Sequence, residues 1–355
     1  MRVNIVDVSK EIFAGGDVPK DRFSIKKTEK YSIPVYANAE KDNGLYGYTD
    51  LARVNDECVT VAARGTIGYC ARRYEPFLPV VRLITVIPNH KIILNDYLYY
   101  ALKKIKPSGS GTSIPQLTVP DIKKYSFNLV DIEQQKDIVC RLEKVEKIIE
   151  CRKQQIDVVD NLIKARFVEM FGDPVDNDYR WTVQPLDTVC NTIVDCPHST
   201  PSYTSENTGY MCIRTSIVKK NRILWDKIEY ISEQEYYQRI QRKRPEKGDV
   251  VYTREGAILG IAAMIDRECN VALGQRSMLL SPDITKCLPQ FLSVAMNFDS
   301  FLRKALGGIS GSASPHINVG DIKTFAIIMP PLELQNQFAA FVAQTDKSKL
   351  IKVPQ

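Results

Sequence analysis

Basic side chains interleaved with tyrosine and asparagine are the residues of this chain whose types and spacing could do chemistry, and that chemistry is the holding of a polyanion. The stretch from Glu206 to Asp226 encloses no acid but carries Arg214, Lys219, Lys220 and Arg222, and Arg239-Ile240-Gln241-Arg242-Lys243-Arg244 follows it. Earlier in the chain stand Arg22, Lys26 and Lys27, then Arg72-Arg73, then Lys103-Lys104 with Lys106. Tyr36, Asn38, Asn43, Tyr46 and Tyr48 lie among the first group, and Tyr203, Tyr210 and Asn221 among the second. Lys and Arg hold phosphates, whereas Asn, Gln and Arg can read base edges. Arg64 and Arg254 are the first candidates for base reading, followed by Gln116, Tyr46, Arg214 and His316. Solvated faces have the same composition, so both readings stand at this point. The net charge of +6 does not separate them, because local clusters and not the total carry such an argument. Most of the excess lies in residues 1–131, with 19 basic against 14 acidic side chains.

Catalytic groups are hard to find. His198 in CPHSTP and His316 in SPHIN sit beside prolines and hydroxyls, with no partner Cys or Asp at a recognisable spacing, and read as loop histidines. Asp-Ile-Lys occurs at 121–123 and again at 321–323, but no Pro-Asp pair precedes either copy at nuclease spacing, so it reads as a structural repeat. The glycine- and serine-rich stretches SGSGTS and LGGISGSAS lack a Gly-Lys-Ser or Gly-Lys-Thr end and a preceding strand, and read as flexible loops. Neither the Asn-Pro-Pro-aromatic motif nor the glycine-rich loop of amino-methyltransferases is present. Nine scattered cysteines without a Cys-x-x-Cys point to reduced, packed thiols and not to zinc or a disulfide framework. The expected chain binds and does not catalyse.

The elements that must position these residues announce themselves by duplication. SGTSIPQLTVPDIK at 110–123 returns as SGSASPHINVGDIK at 310–323, and the same shift continues to Glu133/Glu333 and Gln135/Gln335. A period of 200 exceeds the roughly 20–50 residues of solenoid units, so each copy is a domain-sized half. Between the copies, Ile132 to Phe171 contains no Gly or Pro and is rich in Glu, Lys, Arg and Gln, which predicts one long helix stopped by Gly172-Asp173-Pro174. Leu142, Ile149, Ile156, Ile163 and Met170 keep a heptad beat, with Ile138, Val145 and Val159 on a second seam, and such a seam asks for a partner helix. The matching helix from Leu332 loses the beat at Lys349. In the remaining sequence CVTVAARGTIGYCA, LPVVRLITVIP and DVVYTREGAILGIAAMI read as strands, and Arg64 to Gly68 resembles Arg254 to Gly260. Short helices are expected over 97–104 and 289–306. The expected organisation is a mixed α and β globule (1–131), a helix (132–171), a second globule (172–331) and a short helix (332–355). No run of about 18 apolar residues and no signal-peptide layout at MRVNIVDVSKEIF appear, so no membrane association and a cytoplasmic location are expected.

VDCPHSTPSY, GYMCIRTS, KGDVVYTREG, ALGQRSMLL, KARFVEMFGDP and SIPQLTVPDIKKYSFNLVDIEQQ together resemble the phrases of one family, the specificity subunit of type I restriction-modification systems. The resemblance covers almost the whole chain. It implies an α+β fold with two target recognition domains, an internal pseudo-two-fold repeat, and long helices paired as an antiparallel coiled coil. It also implies double-stranded DNA as ligand, each domain reading one half of a split site. Methyltransferase subunits would dock on the helices and carry S-adenosylmethionine, so that this chain has no cofactor, and a restriction and translocase subunit would join them. The short second helix departs from the family pattern. With only half a partner, Ile138, Leu142, Val145 and Ile149 are expected to be left for a methyltransferase, a second copy of the chain or the chain's own globule, with the methyltransferase favoured in the cell and the second copy in isolation. Two other classes remain beside this one: a self-sufficient restriction or modification enzyme, and a coiled-coil scaffold with no DNA role.

Overall fold

The computed structural model describes residues 1–108, 116–307 and 316–349, without the side chains of 346–349. The glycine- and serine-rich stretches expected as loops lie largely outside the described residues, as do Ser110, Gly111 and Pro115 of the first copy and Ser310, Gly311 and Pro315 of the second. The chain divides into two compact units, Met1–Cys151 and Arg152–Gln355.

Unit 1 contains β1 (Arg2–Asn4), β2 (Ser9–Ala14), β3 (Ile33–Tyr36), β4 (Leu45–Thr49), β5 (Cys58–Val61), β6 (Cys70–Arg73), β7 (Leu78–Pro79), β8 (Ile84–Pro88), α1 (Asn95–Ile105), α2 (Val119–Ile122) and β9 (Ser126–Asn128). An antiparallel sheet of order β2-β8-β5-β6 lies beside a smaller sheet β4-β3-β7, in which β3 and β7 run parallel. Val59, Val61, Ile84 and Val86 of the larger sheet pack on Leu98 and Leu102 of α1. On its other side Cys58 and Ile87 join Val54 and Phe77. Burial of both faces explains why β5 and β8 read as continuous apolar runs and not as alternating strands.

Unit 2 has the same plan. Its strands are β10 (Val183–Pro185), β11 (Cys190–Asp195), β12 (Met211–Ile213), β13 (Val218–Lys219), β14 (Arg222–Ile223), β15 (Glu229–Tyr230), β16 (Val250–Thr253), β17 (Ala262–Met264), β18 (Val271–Leu273), β19 (Ser277–Pro282) and β20 (Ala326–Ile328). The sheets run β11-β19-β16-β17 and β15-β12-β18, again with one parallel pair, β12 with β18. Even an irregularity is duplicated. The strand β2 slips between Ser9 and Glu11 opposite Pro88 and Ile87, and β11 slips between Cys190 and Thr192 opposite Pro282 and Ser281. What unit 2 adds is the β13–β14 hairpin and a helix over Glu233–Arg239. The single helix expected over 289–306 is two, Pro289–Met296 and Asp299–Leu306. Asn297 interrupts it by turning its amide onto β17, accepting from Ala262 N at 3.0 Å and donating to Ala262 O at 2.7 Å.

The central helix runs Ile132–Phe171 without a break. Asp131 Oδ1 accepts from Gln134 N at 2.8 Å at its start. Gly172, at φ +77°, closes it, and Trp181 Nε1 donates to the last carbonyl, Phe171 O, at 2.9 Å. The helix serves both cores. Gln135 and Val139 are buried near its start; Ile163, Phe167 and Phe171 are buried near its end with Phe338 and Val342 of the tail helix Leu332–Lys349. The Phe167 ring lies 4.8–5.4 Å from the rings of Phe171, Phe291, Phe298 and Phe338. The heptad seam is therefore not continuous. Ile163 is buried and Ile156, Val159 and Met170 half-buried, whereas Leu142, Val145 and Ile149 are exposed. Residues 163, 167 and 171 recur every four positions because the helix turns that face to a globular core, and the heptad reading missed Phe167 and Phe171.

The repeated Asp-Ile-Lys segment is a junction. Thr118 and Asp121 form a capping box on α2, with Asp121 Oδ2 accepting from Thr118 N at 3.1 Å, and Ile122 and Ile322 are wholly buried. A few residues on, one glutamine does the same work in both units. Gln135 Oε1 accepts from Leu94 N at 2.9 Å while its Nε2 donates to Ile92 O and Val130 O at 3.0 and 2.8 Å. Gln335 does so with Leu288 N at 2.8 Å and with Lys286 O and Pro330 O at 3.1 and 2.9 Å. Each glutamine ties a spacer helix to the start of the helix that covers the sheet. The cysteines are all free, and six are buried, with burial pushing the Cys58 and Cys70 thiols up to about 12. Cys140 and Cys151, expected to be packed, are exposed on the central helix.

Candidate nucleic-acid interface

In each unit three segments of chain meet beside the turn that joins an inner strand of the larger sheet to its edge strand, β5 to β6 in unit 1 and β16 to β17 in unit 2. The turn itself is held by Gly68 N donating to Ala62 O at 2.9 Å in unit 1, and by Gly260 N donating to Thr253 O at 2.7 Å in unit 2. Both glycines have positive φ, which strains any side chain, and at Gly68 a Cβ would in addition come within 2.1 Å of the backbone oxygen of Pro107, whereas at Gly260 it would meet only the movable end of the Leu302 side chain at 2.3 Å. The second segment is the end of the repeated stretch: Leu117 N donates to Ala63 O at 3.0 Å, and Ile317 N to Arg254 O at 2.9 Å. The third is the chain just before β8 or β19. In unit 2 Arg254 N donates directly to Arg276 O at 3.1 Å. In unit 1 the Asn38 side chain is inserted instead, accepting from Ala63 N at 2.7 Å and donating to Val81 O at 2.5 Å.

The bonds of the first two segments fix the register between the copies and correct the sequence alignment, and strand pairing sets the third segment, Ile84 standing beside Val61 as Met278 stands beside Tyr252, so that Arg82 is the counterpart of Arg276. Arg254 is the counterpart of Ala63, and Arg64 is the counterpart of Glu255; Gln116 answers to His316. The scaffold is shared and its side chains differ. In unit 1 Arg64 is exposed and donates through Nε and Nη2 to Gln116 Oε1 at 3.2 and 2.8 Å. In unit 2 the backbone of Glu255 bridges that of His316, whose side chain is exposed. Arg254 is not open to a ligand: its side chain is only 7% exposed and pairs with Asp195 at 2.9 Å and Glu255 at 2.7 Å. His198 does have an acid partner, contrary to the sequence reading, since its Nε2 lies 3.1 Å from Asp195 Oδ2, three residues back.

The other candidate cations divide into free and committed groups. Lys26 and Lys27 are exposed, and the exposed Tyr46 ring lies 5.4 Å from Phe23. Arg22 pairs with Asp50 at 2.8 Å and Arg214 with Glu229 at 2.7 Å, both near the surface. Arg73 is buried, donating to Asn43 O at 2.7 Å with its guanidinium 3.5 Å from the Tyr36 ring centroid. Arg72 reaches Asp96, Glu143 and Glu146 at 3.2–3.5 Å, tying β6 to α1 and to the central helix. Lys219 lies on β13, while Lys220 pairs with Asp299 at 2.8 Å and Arg222 lies 3.7 Å from Asp160. Asp299 also takes Lys164 of the central helix at 3.2 Å, and the lysine contacts hold its carboxyl below the usual range, Lys220 foremost. Internal contacts thus enclose Arg72 and Arg73, whereas Lys220 and Arg222 keep close to half of their side-chain surface open beside their acidic partners. Sequence reasoning missed Arg82 and Arg276, exposed at equivalent positions of the third segment. The signal was available in VVRLITVIP and GQRSMLLSP, both ending in the proline that closes a strand.

Among the described residues no helix is long and apolar enough to cross a membrane. The family model for the type I restriction modification DNA specificity domain matches twice, over residues 3–161 and 180–353. A candidate type I specificity subunit of Mycoplasma pneumoniae is 32% identical over 168 residues, which are 44% of this chain and 50% of that protein. This chain likewise spans 44% of a second protein of that kind from the same organism, at 33% identity. The specificity subunit of a type I restriction enzyme of Methanocaldococcus jannaschii is 23% identical over 76% of this chain and 68% of its own length. A crystal structure of the S subunit of a type I restriction-modification system from M. genitalium has the same fold, with a TM-score of 0.53 at 14% identity over 98% of this chain and 90% of that one. With two family matches spread over nearly all of its length, the chain belongs to the type I restriction-modification DNA specificity domain family.

Proposed function

We propose that this chain is the sequence-reading subunit of a type I restriction-modification complex, in which each unit reads one half of a bipartite DNA site. The observation that carries this reading is the duplicated three-segment scaffold bearing unlike residues at matching positions, Arg64 and Gln116 joined through their side chains in one unit, Glu255 and His316 bridged through their backbones in the other. A shared backbone geometry docks both units on duplex DNA in the same way, and the exchanged side chains present different hydrogen-bonding patterns to the groove. An internally duplicated chain then imitates a symmetric dimer while reading two different half-sites. In this reading the chain is cytoplasmic and non-catalytic, S-adenosylmethionine is bound by methyltransferase subunits, and a restriction and translocase subunit completes the complex. The exposed Leu142, Val145 and Ile149, with Ile138 half-buried beside them, give the methyltransferase an apolar seat on the central helix.

Co-expression with the modification subunit, followed by mapping of methylated adenines, tests the reading. Arg64→Ala or Gln116→Ala should relax one half-site and leave the other unchanged, with about 1–3 kcal/mol of discrimination lost per bidentate contact. A substitution in unit 1 that alters both half-sites, or neither, would overturn it.

A further inference from the structure

Arg82 and Arg276 stand at one position of the duplicated fold, and both have left-handed backbones, with φ +63° and +70°. Glycine adopts that conformation at no steric cost and a side chain with a Cβ does not, and in unit 1 Val81 shares it at φ +52°, so what marks the arginine is its recurrence in both units. The neighbours have not been kept alike: Val80, Val81 and Leu83 in one unit answer to Gly274, Gln275 and Ser277 in the other. Only the arginine is the same. Its backbone is pinned in each case, by Arg82 N donating to Gly15 O at 3.2 Å and by Arg276 O accepting from Arg254 N at 3.1 Å. Its side chain is exposed, and among the described residues neither guanidinium has an ion-pair or hydrogen-bond partner, whereas Arg72, Arg73, Arg214 and Arg254 are all committed to other groups. A Cβ built on Gly256 would lie 3.4 Å from Nη1 of Arg276, so this free charge sits against the turn that carries Glu255.

We propose that Arg82 and Arg276 are the phosphate contacts common to both units, one guanidinium per unit gripping the sugar-phosphate strand beside its half-site. The inference rests on the DNA reading above and adds to it the residues that dock and do not read. Unlike half-sites differ in their bases but present the same backbone, so a contact kept identical in both units belongs to the phosphates, and contacts that differ belong to the bases.

The test uses the full chain and a pool of duplex DNA of random sequence, from which wild type selects an enriched duplex; binding is then measured on that duplex and on a scrambled one across a salt series. Arg82→Gly and Arg276→Gly suit the left-handed backbone and keep the thermal midpoint at or above that of wild type. Each should weaken binding to both duplexes about fivefold at 0.15 M salt and lower the slope of log affinity against log salt by about 0.9, the release of one counterion. Arg82→Lys and Arg276→Lys should retain the slope. An unchanged slope in the glycine variants, or a loss confined to the enriched duplex, overturns the proposal, the latter by making these residues base readers. If wild type binds but enriches nothing, the bipartite reading fails while the salt test still decides this one on random duplex; if wild type binds no DNA, both fall.

Discussion

A single arginine shows how far residue type alone carries. Arg64 and Arg254 look interchangeable in sequence, each opening a glycine-containing turn, yet one is exposed and the other is buried against Asp195, 59 residues away. The same holds for Lys220, whose acid lies 79 residues on at Asp299. Which cations are free is decided by such long-range partners, and no local pattern reports them; this is why Arg72, Arg73 and Arg254 read as open in the sequence although the fold holds them in internal contacts, while Arg64 and His316 are exposed. The distinction has an energetic consequence. Arg254→Ala leaves the mostly buried Asp195 carboxylate with His198 alone, and breaking a buried pair from one side costs about 3–5 kcal/mol. Urea unfolding of the variant should show a loss near the lower end of that range, because Asp195 keeps 15% exposure and His198 beside it. An unchanged midpoint would mean that Arg254 is free to serve a ligand after all.

Elements were legible where their signals are local. The central helix needed only an absence of Gly and Pro and a Gly172 stop, and the strands needed only β-branched runs, so these were readable without neighbours. The β13–β14 hairpin was not, since two-residue strands leave no period to detect. The sequence match of Arg64–Gly68 to Arg254–Gly260 allows for insertions, but the turns differ by one residue and not two, which shifts the alignment of Arg64 by one place. Gln135 and Gln335 were visible as a repeat but not as a clamp, because two of the three partners of each come from a loop more than 40 residues upstream. Replacing either amide by an apolar side chain of similar size leaves one buried donor and two carbonyls without this partner, at about 1–3 kcal/mol for each group that finds no substitute. Gln335→Leu should therefore lower the unfolding free energy of unit 2 by about 3 kcal/mol in denaturant, and Gln135→Leu should do the same in unit 1. Water entering either site would appear as a much smaller loss.

At the scale of the whole molecule the duplication of topology, bulge and clamp gives each unit its own core, while one helix belongs to both. That helix carries apolar side chains where neither core uses them: Leu142 is 36% exposed, Val145 51% and Ile149 49%, with Ile148 at 53% beside them. Covering a side chain of this kind is worth roughly 1.5–3 kcal/mol when complete, so even half of that from four residues favours a partner. The heptad pattern foresaw three of the four, but Ile148 is outside both seams, and Ile138 is half-buried and contributes less than expected. Under the proposed function the partner is the methyltransferase in the complex and a second copy of the chain in isolation. Leu142→Asp and Ile149→Asp should each abolish co-purification with the modification subunit and shift the isolated chain to monomer in sedimentation velocity. The unfolding midpoints of both units should stay within error of wild type, because neither residue belongs to a core. A variant that still co-purifies and still self-associates would show that the stripe is solvated and that docking uses another surface.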